Sequence, residues 1–141
     1  MSFMTGTLKP FIRSEDARSQ ADFYVQCFGG EIVSVLTHEQ AMGAQHNLKD
    51  KVMHMCLSVA GSNYIFMADS FEPAPPGPGI ALNMAFQTES AAREAFAGLA
   101  VGGRVIAPLD MQPFGMYYGE LTDKYGVTWM ITAERGASPK A

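Results

Sequence analysis

The sequence lacks most of the features that mark secreted, membrane or metal-binding proteins. Only two of its 141 residues are cysteines, Cys27 and Cys56, and neither has a CxxC or Cys/His spacing typical of a metal site. No run of about 18 uncharged apolar residues could span a bilayer, and the N-terminus has no signal-peptide pattern. We therefore expect a cytoplasmic protein with two free thiols and no membrane partner.

Charge is also scarce. Charged residues make up 17% of the chain, against 48% hydrophobic residues, and the formal net charge is -4. An acidic balance of this kind argues against nucleic acid as a partner. A chain of this length and composition can bury roughly two thirds of its unfolded surface in one domain without disulfides.

Two glycine pairs mark the ends of two predicted helices. Ser14 is expected to cap the first helix and Thr88 the second, because both side chains can accept a bond from a first-turn N–H. Each helix then stops at Gly29-Gly30 or Gly102-Gly103, where glycine allows positive φ. Apolar residues at helical spacing predict two buried faces, formed by Ala17, Ala21, Tyr24, Val25 and Phe28 and by Ala92, Ala95, Phe96 and Leu99.

Alternating apolar and polar residues predict strands around these helices. The predicted strands are residues 7–13, 31–37, 51–60, 64–68, 80–87 and 104–109, followed by a closing hairpin within 115–131. Asp123 to Gly126 supplies the turn of that hairpin. His38 to Asp50 is the longest irregular stretch, predicted to be a loop with His38 and His46 in solvent.

The two halves of the chain repeat each other. Phe23, Gly29-Gly30 and Leu36 match Phe96, Gly102-Gly103 and Leu109 in spacing. Each half is therefore predicted to be a βαβββ module, residues 1–72 and 78–135, within a single α+β domain 1–141. We expect the modules to join into a curved mixed sheet with helices on the outer face and a cup-shaped ligand site on the other. Residues 73–79 are predicted to be a semi-rigid proline-rich linker and 136–141 a disordered tail.

The chain resembles the PhnB-like branch of the vicinal oxygen chelate superfamily, which includes glyoxalases, bleomycin-resistance proteins and extradiol dioxygenases. The motifs that carry the resemblance are residues 21–24, 28–30, 52–54, 60–62, 68–69, 122–127 and 129–131. They cover nearly the whole chain, with one departure at Phe114-Gly115, where the branch usually has Trp-Gly. The resemblance implies the glyoxalase/bleomycin resistance fold and a homodimer.

The resemblance also implies where a metal ion would be held. The corresponding positions are Lys9, then Phe66 or Met67, then Asn83 and Met130. A protonated lysine, a phenyl ring, a thioether and a lone amide are not normal ligands of a divalent metal. We therefore expect no metal ion and no other cofactor.

Since strand side chains alternate, the same positions imply which residues face the cup. Lys9 and Arg13 are candidates for an anionic ligand, although Arg13 could instead pair with Glu15 or Asp16. Trp129 is expected in the core. The complete set of ligand-binding candidates is Lys9, Phe11, Arg13, His54, Asn83, Gln87, Tyr118 and Met130.

The favoured function is a PhnB-like protein that binds a small aromatic or anionic molecule without a metal. One alternative is a lyase, isomerase or dioxygenase of the superfamily, with His54 and Glu120 as catalytic candidates or with a displaced metal. Another is a structural or interaction protein. Some relatives carry a demethylubiquinone methyltransferase label, which these residues do not support, since Pro76 to Gly79 precedes a strand rather than a helix.

Overall fold

The computed structural model describes residues 4–43, 48–72 and 79–134. The chain divides into two compact units, Met1–Ala74 and Pro75–Ala141. Residues 73–78, His46 and the tail from residue 136 lie outside the described ranges. The linker and the disordered tail thus stay predictions. In the ranges above, no helix is both long and apolar enough to cross a membrane.

The first unit is a βαβββ module with one additional short helix. Its four strands form a mixed sheet in the order β1-β4-β3-β2, in which only β1 and β4 pair in parallel. The elements are β1 (Phe11–Ser14), α1 (Ala17–Phe28), β2 (Gly30–Thr37), α2 (His38–Met42), β3 (Val52–Val59) and β4 (Asn63–Asp69).

Helix α1 is capped by Asp16, whose side chain accepts a hydrogen bond from the backbone N–H of Ser19. The prediction that Ser14 caps this helix was wrong, because Ser14 is the last residue of β1 and its hydroxyl accepts from the N–H of Asp16. The buried face also includes Gln20, whose amide donates a 2.8 Å bond to the Tyr24 hydroxyl. That bond satisfies a polar side chain in the core, which the apolar pattern did not indicate.

Residues 38–42 form helix α2, so the prediction of an irregular loop from His38 was wrong for this segment. Thr37 and Gln40 make a capping box, each side chain bonding to the other residue's backbone N–H. His38 is half-buried, and its ring centroid lies 5.5 Å from that of Phe71.

The second unit repeats the strand order of the first. Its mixed sheet has the order β5-β8-β7-β6, again with one parallel pair, β5 and β8. The elements are β5 (Leu82–Phe86), α3 (Glu89–Ala100), β6 (Arg104–Met111), β7 (Met116–Thr122) and β8 (Thr128–Glu134). The predicted βαβββ repeat is therefore confirmed, whereas the joining of the two sheets into one cup stays a prediction.

Helix α3 agrees with its prediction in detail. Thr88 caps it by accepting from the N–H of Ala91, and the four predicted core residues on its face are all buried. The closing hairpin is also confirmed: the chain turns at Asp123, and Trp129 is only 1% exposed. Helices α1 and α3 each cover one face of the sheet in their own unit, and neither helix covers the opposite face.

The second glycine of each pair is required for steric reasons. A Cβ atom on Gly30 would lie 1.9 Å from the carbonyl oxygen of Ser58, and one on Gly103 would lie 2.3 Å from that of Thr122. Both distances are far below van der Waals contact, so any other residue would push the strand away. In both units, the backbone that follows the helix therefore passes equally close to the neighbouring strand of the sheet.

Candidate functional site

The face of the first sheet opposite α1 carries three neighbouring rings. On β3, Met55 and Leu57 are fully buried beneath the helix, which places the alternate residue His54 on the other face. The ring centroid of His54 lies 4.6 Å from that of Phe66 on β4 and 6.0 Å from that of Phe11 on β1. We call Phe11, His54 and Phe66 the aromatic face.

Two cations border the aromatic face. The Lys9 ammonium lies 5.5 Å from the centroid of Phe66, and the Arg13 guanidinium carbon lies 5.4 Å from that of Phe11. Within the described part of the chain, no ion pair of Arg13 with Glu15 or Asp16 is found. The four candidates in this unit, Lys9, Phe11, Arg13 and His54, thus lie together, and neither cation is neutralised by a carboxylate.

The second unit contains a concavity of about 740 Å³ on the face of its sheet opposite α3. Predicted candidates Glu120 and Met130 lie in its wall. The concavity is bordered by Gly79, Ile80, Ala81, Arg104, Ile106, Glu120, Thr122, Gly126, Thr128 and Met130. It therefore combines apolar side chains with one carboxylate and one guanidinium group.

Tyr118 orients the carboxylate of this concavity. Its hydroxyl donates a 2.9 Å hydrogen bond to Oε1 of Glu120, two residues along the same strand face. Burial, and then the bond and negative charge of Glu120, raise the pKa of Tyr118 above its ordinary value. The phenol is therefore neutral at physiological pH and serves as a fixed donor to Glu120.

The remaining candidates lie elsewhere on the same sheet. Asn83 is exposed on β5, directly opposite Met130 in the β5/β8 register. Gln87 borders a smaller depression of about 470 Å³ together with Thr132 and Ala85. Neither residue lies in the wall of the larger concavity. The candidates of the second unit therefore do not form a single site; they are Asn83, Gln87, Tyr118, Glu120 and Met130.

Two site residues were missed from the ligand-binding candidates. Phe66 completes the aromatic face, and its place on β4 beside Phe11 follows only from the β1/β4 register. Arg104 lies in the concavity with Glu120 because the β6/β7 ladder pairs it with Thr122, which shares one face of β7 with Glu120. This proximity follows from the strand pairing, which alternation within a single strand does not reveal.

His54 and Glu120 belong to different units, so their cooperation as a catalytic pair stays a prediction. Each has close neighbours in its own unit. For His54 these are the rings of Phe11 and Phe66; for Glu120 it is the Tyr118 hydroxyl.

The metal positions of the superfamily are occupied by side chains that do not fit a divalent metal. In the first unit the position on β4 is Phe66, since Met67 is fully buried in the core, and Lys9 lies over its ring. In the second unit Asn83 faces Met130. An ammonium, a phenyl, an amide and a thioether make a poor donor set for such an ion. Among the residues of the three described ranges, no three His, Cys, Asp or Glu side chains are grouped as a metal site would require.

The family of the chain follows from a match to a family model. The model, described as 3-demethylubiquinone-9 3-methyltransferase, matches residues 7–132, which include both modules. The chain belongs to this family. Its resemblance to the PhnB-like branch is supported by solved structures from Bacillus cereus and Pseudomonas aeruginosa, and a comparison with curated proteins found no match.

Two solved structures are similar to this family member over almost their entire length. The PhnB protein of Bacillus cereus is 26% identical, with 91% of this chain and 99% of that chain covered and a TM-score of 0.74. The protein PA1353 of Pseudomonas aeruginosa is 27% identical, with coverage of 93% and 99% and a TM-score of 0.80.

A third neighbour supports the fold alone. The fosfomycin resistance protein FosX of Listeria monocytogenes is 14% identical, covering 95% of this chain and 97% of its own, with a TM-score of 0.62. The glyoxalase/bleomycin resistance fold predicted from the sequence is thereby confirmed.

Proposed function

We propose that this member of the family is a small-molecule-binding protein that holds an aromatic anion on the aromatic face of its first unit. The observation that carries the proposal is that Lys9 lies over the ring of Phe66 and Arg13 over the ring of Phe11, with no carboxylate paired to either cation. We also propose that this binding needs no catalytic metal.

The chemistry of the face favours a flat ligand. Phe11 is 44% exposed, so a planar ring can cover it and gain apolar contact area. Aromatic pairs contribute about 0.5–1.5 kcal/mol beyond burial, and a guanidinium group can bind a carboxylate through two parallel hydrogen bonds. A ligand with both groups would satisfy the rings and Arg13 together.

Methyl transfer, named in the family description, is not what we propose. A nucleotide-type methyl donor would call for a glycine-rich loop that leads from a strand into a helix N-terminus. Here Gly79 ends the glycine-rich segment and precedes strand β5. The enzymatic alternative with His54 and Glu120, the homodimer and the cytoplasmic location stay predictions.

A matched set of ligands tests the proposed function. Titrations of the whole chain with 2-naphthoate, 2-naphthamide and 2-naphthylmethylamine, followed by NMR, compare one ring system as anion, neutral amide and cation. We expect the anion to bind with the highest affinity and to shift the signals of Phe11, His54 and Phe66.

Variants then test the role of the cations. Arg13→Gln should weaken naphthoate binding roughly tenfold or more, since a hydrogen bond to a charged group contributes about 1.5–3 kcal/mol. Arg18→Gln is the matched control, because Arg18 is exposed on helix α1. Equal binding of the amide and the anion, or equal losses in the two variants, would refute the proposed function.

A further inference from the structure

Arg104 and Glu120 lie in the same concavity of the second unit but do not pair with each other. Both side chains border the 740 Å³ space, one at the start of β6 and the other on β7. In the ranges described, Arg93 pairs with Glu89 on helix α3, and no ion pair is found for Arg104 or Glu120. Two opposite charges thus face one space, and neither neutralises the other directly.

The carboxylate of this pair is held in a fixed orientation. The Tyr118 hydroxyl donates to Oε1 of Glu120, and no other contact to this carboxylate is found in the described ranges, so Oε2 is available to a ligand. The neighbouring hydroxyls of Thr122 and Thr128 bond to each other at 3.1 Å. The strongest acceptor in the concavity is therefore Glu120, and the strongest donor is Arg104.

Three apolar side chains complete the wall beside these polar groups. Ile80, Ile106 and Met130 line the same space, and a volume of about 740 Å³ lies within the range of roughly 300–1,000 Å³ common for small-molecule sites. A ligand with a single charge would pair with one of the two protein charges. It would cover the other protein charge without pairing it, at a desolvation cost. A ligand with both charges would pair each.

We infer that this concavity binds a small zwitterion of the α-amino acid type with an apolar side group. Its ammonium group pairs with Glu120, its carboxylate pairs with Arg104, and its side group packs against Met130 and Ile106. This site lies in the second unit and does not depend on the aromatic face of the first.

The probes are L-leucine, L-methionine and L-valine, together with two forms of leucine that lack one charge. N-acetyl-L-leucine retains only the carboxylate, and L-leucinamide retains only the ammonium. In NMR titrations of the whole chain we expect saturable shifts at Glu120, Thr122 and Met130 with the amino acids. Affinity should be at least about tenfold lower for each singly charged form, since each loses a charge-assisted bond.

Two variants remove the protein charges one at a time. Glu120→Gln and Arg104→Gln should each lower leucine affinity by about tenfold or more, whereas Glu94→Gln, which alters an exposed residue of α3 outside the concavity, should leave it unchanged. The NMR spectrum of each variant shows whether it is folded. If Arg104→Gln is not folded, Arg104→Lys, which keeps the positive charge, is used in its place.

Three results would overturn the zwitterion site. The first is the absence of a saturable shift with all three amino acids. The second is binding of N-acetyl-leucine or leucinamide as tight as that of leucine. The third is undiminished leucine affinity in folded Glu120→Gln or in folded Arg104→Gln. Arg13→Gln, which leaves both charges of this concavity in place, should not change leucine binding.

Discussion

The indole N–H of Trp129 donates a 2.9 Å hydrogen bond to Oδ2 of Asp123, which is 3% exposed. The other carboxylate oxygen of Asp123 accepts bonds from the backbone N–H groups of Tyr125 and Val127. One side chain thus closes the β7/β8 turn and fixes the largest residue of the core.

Removal of this carboxylate should be costly for the second unit. Asp123→Ala leaves three donors without their acceptor, so we expect a loss of about 3 kcal/mol in the free energy of unfolding. Urea denaturation of the variant measures it. Asp123→Asn, which keeps one acceptor oxygen, should lose less, and a smaller loss for alanine than for asparagine would contradict this account.

Asp69 should contribute to the first unit in a similar way. Its two carboxylate oxygens accept from the N–H of Ala17, where α1 starts, at 2.8 Å and from the N–H of Val52, where β3 starts, at 2.7 Å. Asp69→Ala should lower the free energy of unfolding by about 2 kcal/mol. Asp22→Ala, at an exposed position of α1, should stay within about 0.5 kcal/mol of the parent. Similar losses for both variants would show that the two bonds do not stabilise the fold.

Gly119 is required for packing between β7 and α3. An added Cβ would lie 2.7 Å from Cε2 of Phe96 and 2.8 Å from Cα of Leu109, so Gly119→Ala overpacks the core. We expect a destabilisation of about 1–3 kcal/mol in thermal or urea unfolding. Gly6→Ala, where a Cβ meets nothing within 4 Å, is the control and should have little effect.

The raised pKa of Tyr118 predicts a change in stability at high pH. Its neutral phenol stabilises the folded state at pH values below about 10, and this contribution is lost as the pH rises through the folded pKa. The difference in unfolding free energy between the parent and Tyr118→Phe should therefore shrink as the pH rises above about 10. Phenolate absorbance should show that Tyr118 titrates at lower pH in Glu120→Gln. An unchanged titration would mean that Glu120 does not raise this pKa.

Local signals in the sequence predicted a large part of the fold. The face and the Thr88 cap of α3 are set by residues within one or two helical turns, and both agree with the structure. The capping box of α2 was overlooked, although Thr37 and Gln40 have the spacing that marks one. The wrong prediction for Ser14 was also a local one, since the actual cap, Asp16, lies only two positions further along the chain.

The candidate site was less predictable because it depends on distant pairing. Alternation along strands indicated that Lys9, Phe11, Arg13 and His54 share a face, but the contact of His54 with Phe66 depends on the β3/β4 register. Arg104 lies beside the same space as Glu120 because β6 pairs it with Thr122, the neighbour of Glu120 on one face of β7, and this pairing depends on the folded sheet. No periodic pattern within one strand records such a pairing.

The close approaches of Gly30 to Ser58 and of Gly103 to Thr122 involve main-chain oxygens, which every amino acid supplies. The repeated framework thus constrains two glycines and almost nothing about the side chains on the open faces. One half could acquire rings and cations while the other acquired a carboxylate and a guanidinium. For protein engineering, each open face is thus a surface that can be redesigned for a new ligand while Gly30 and Gly103 stay unchanged.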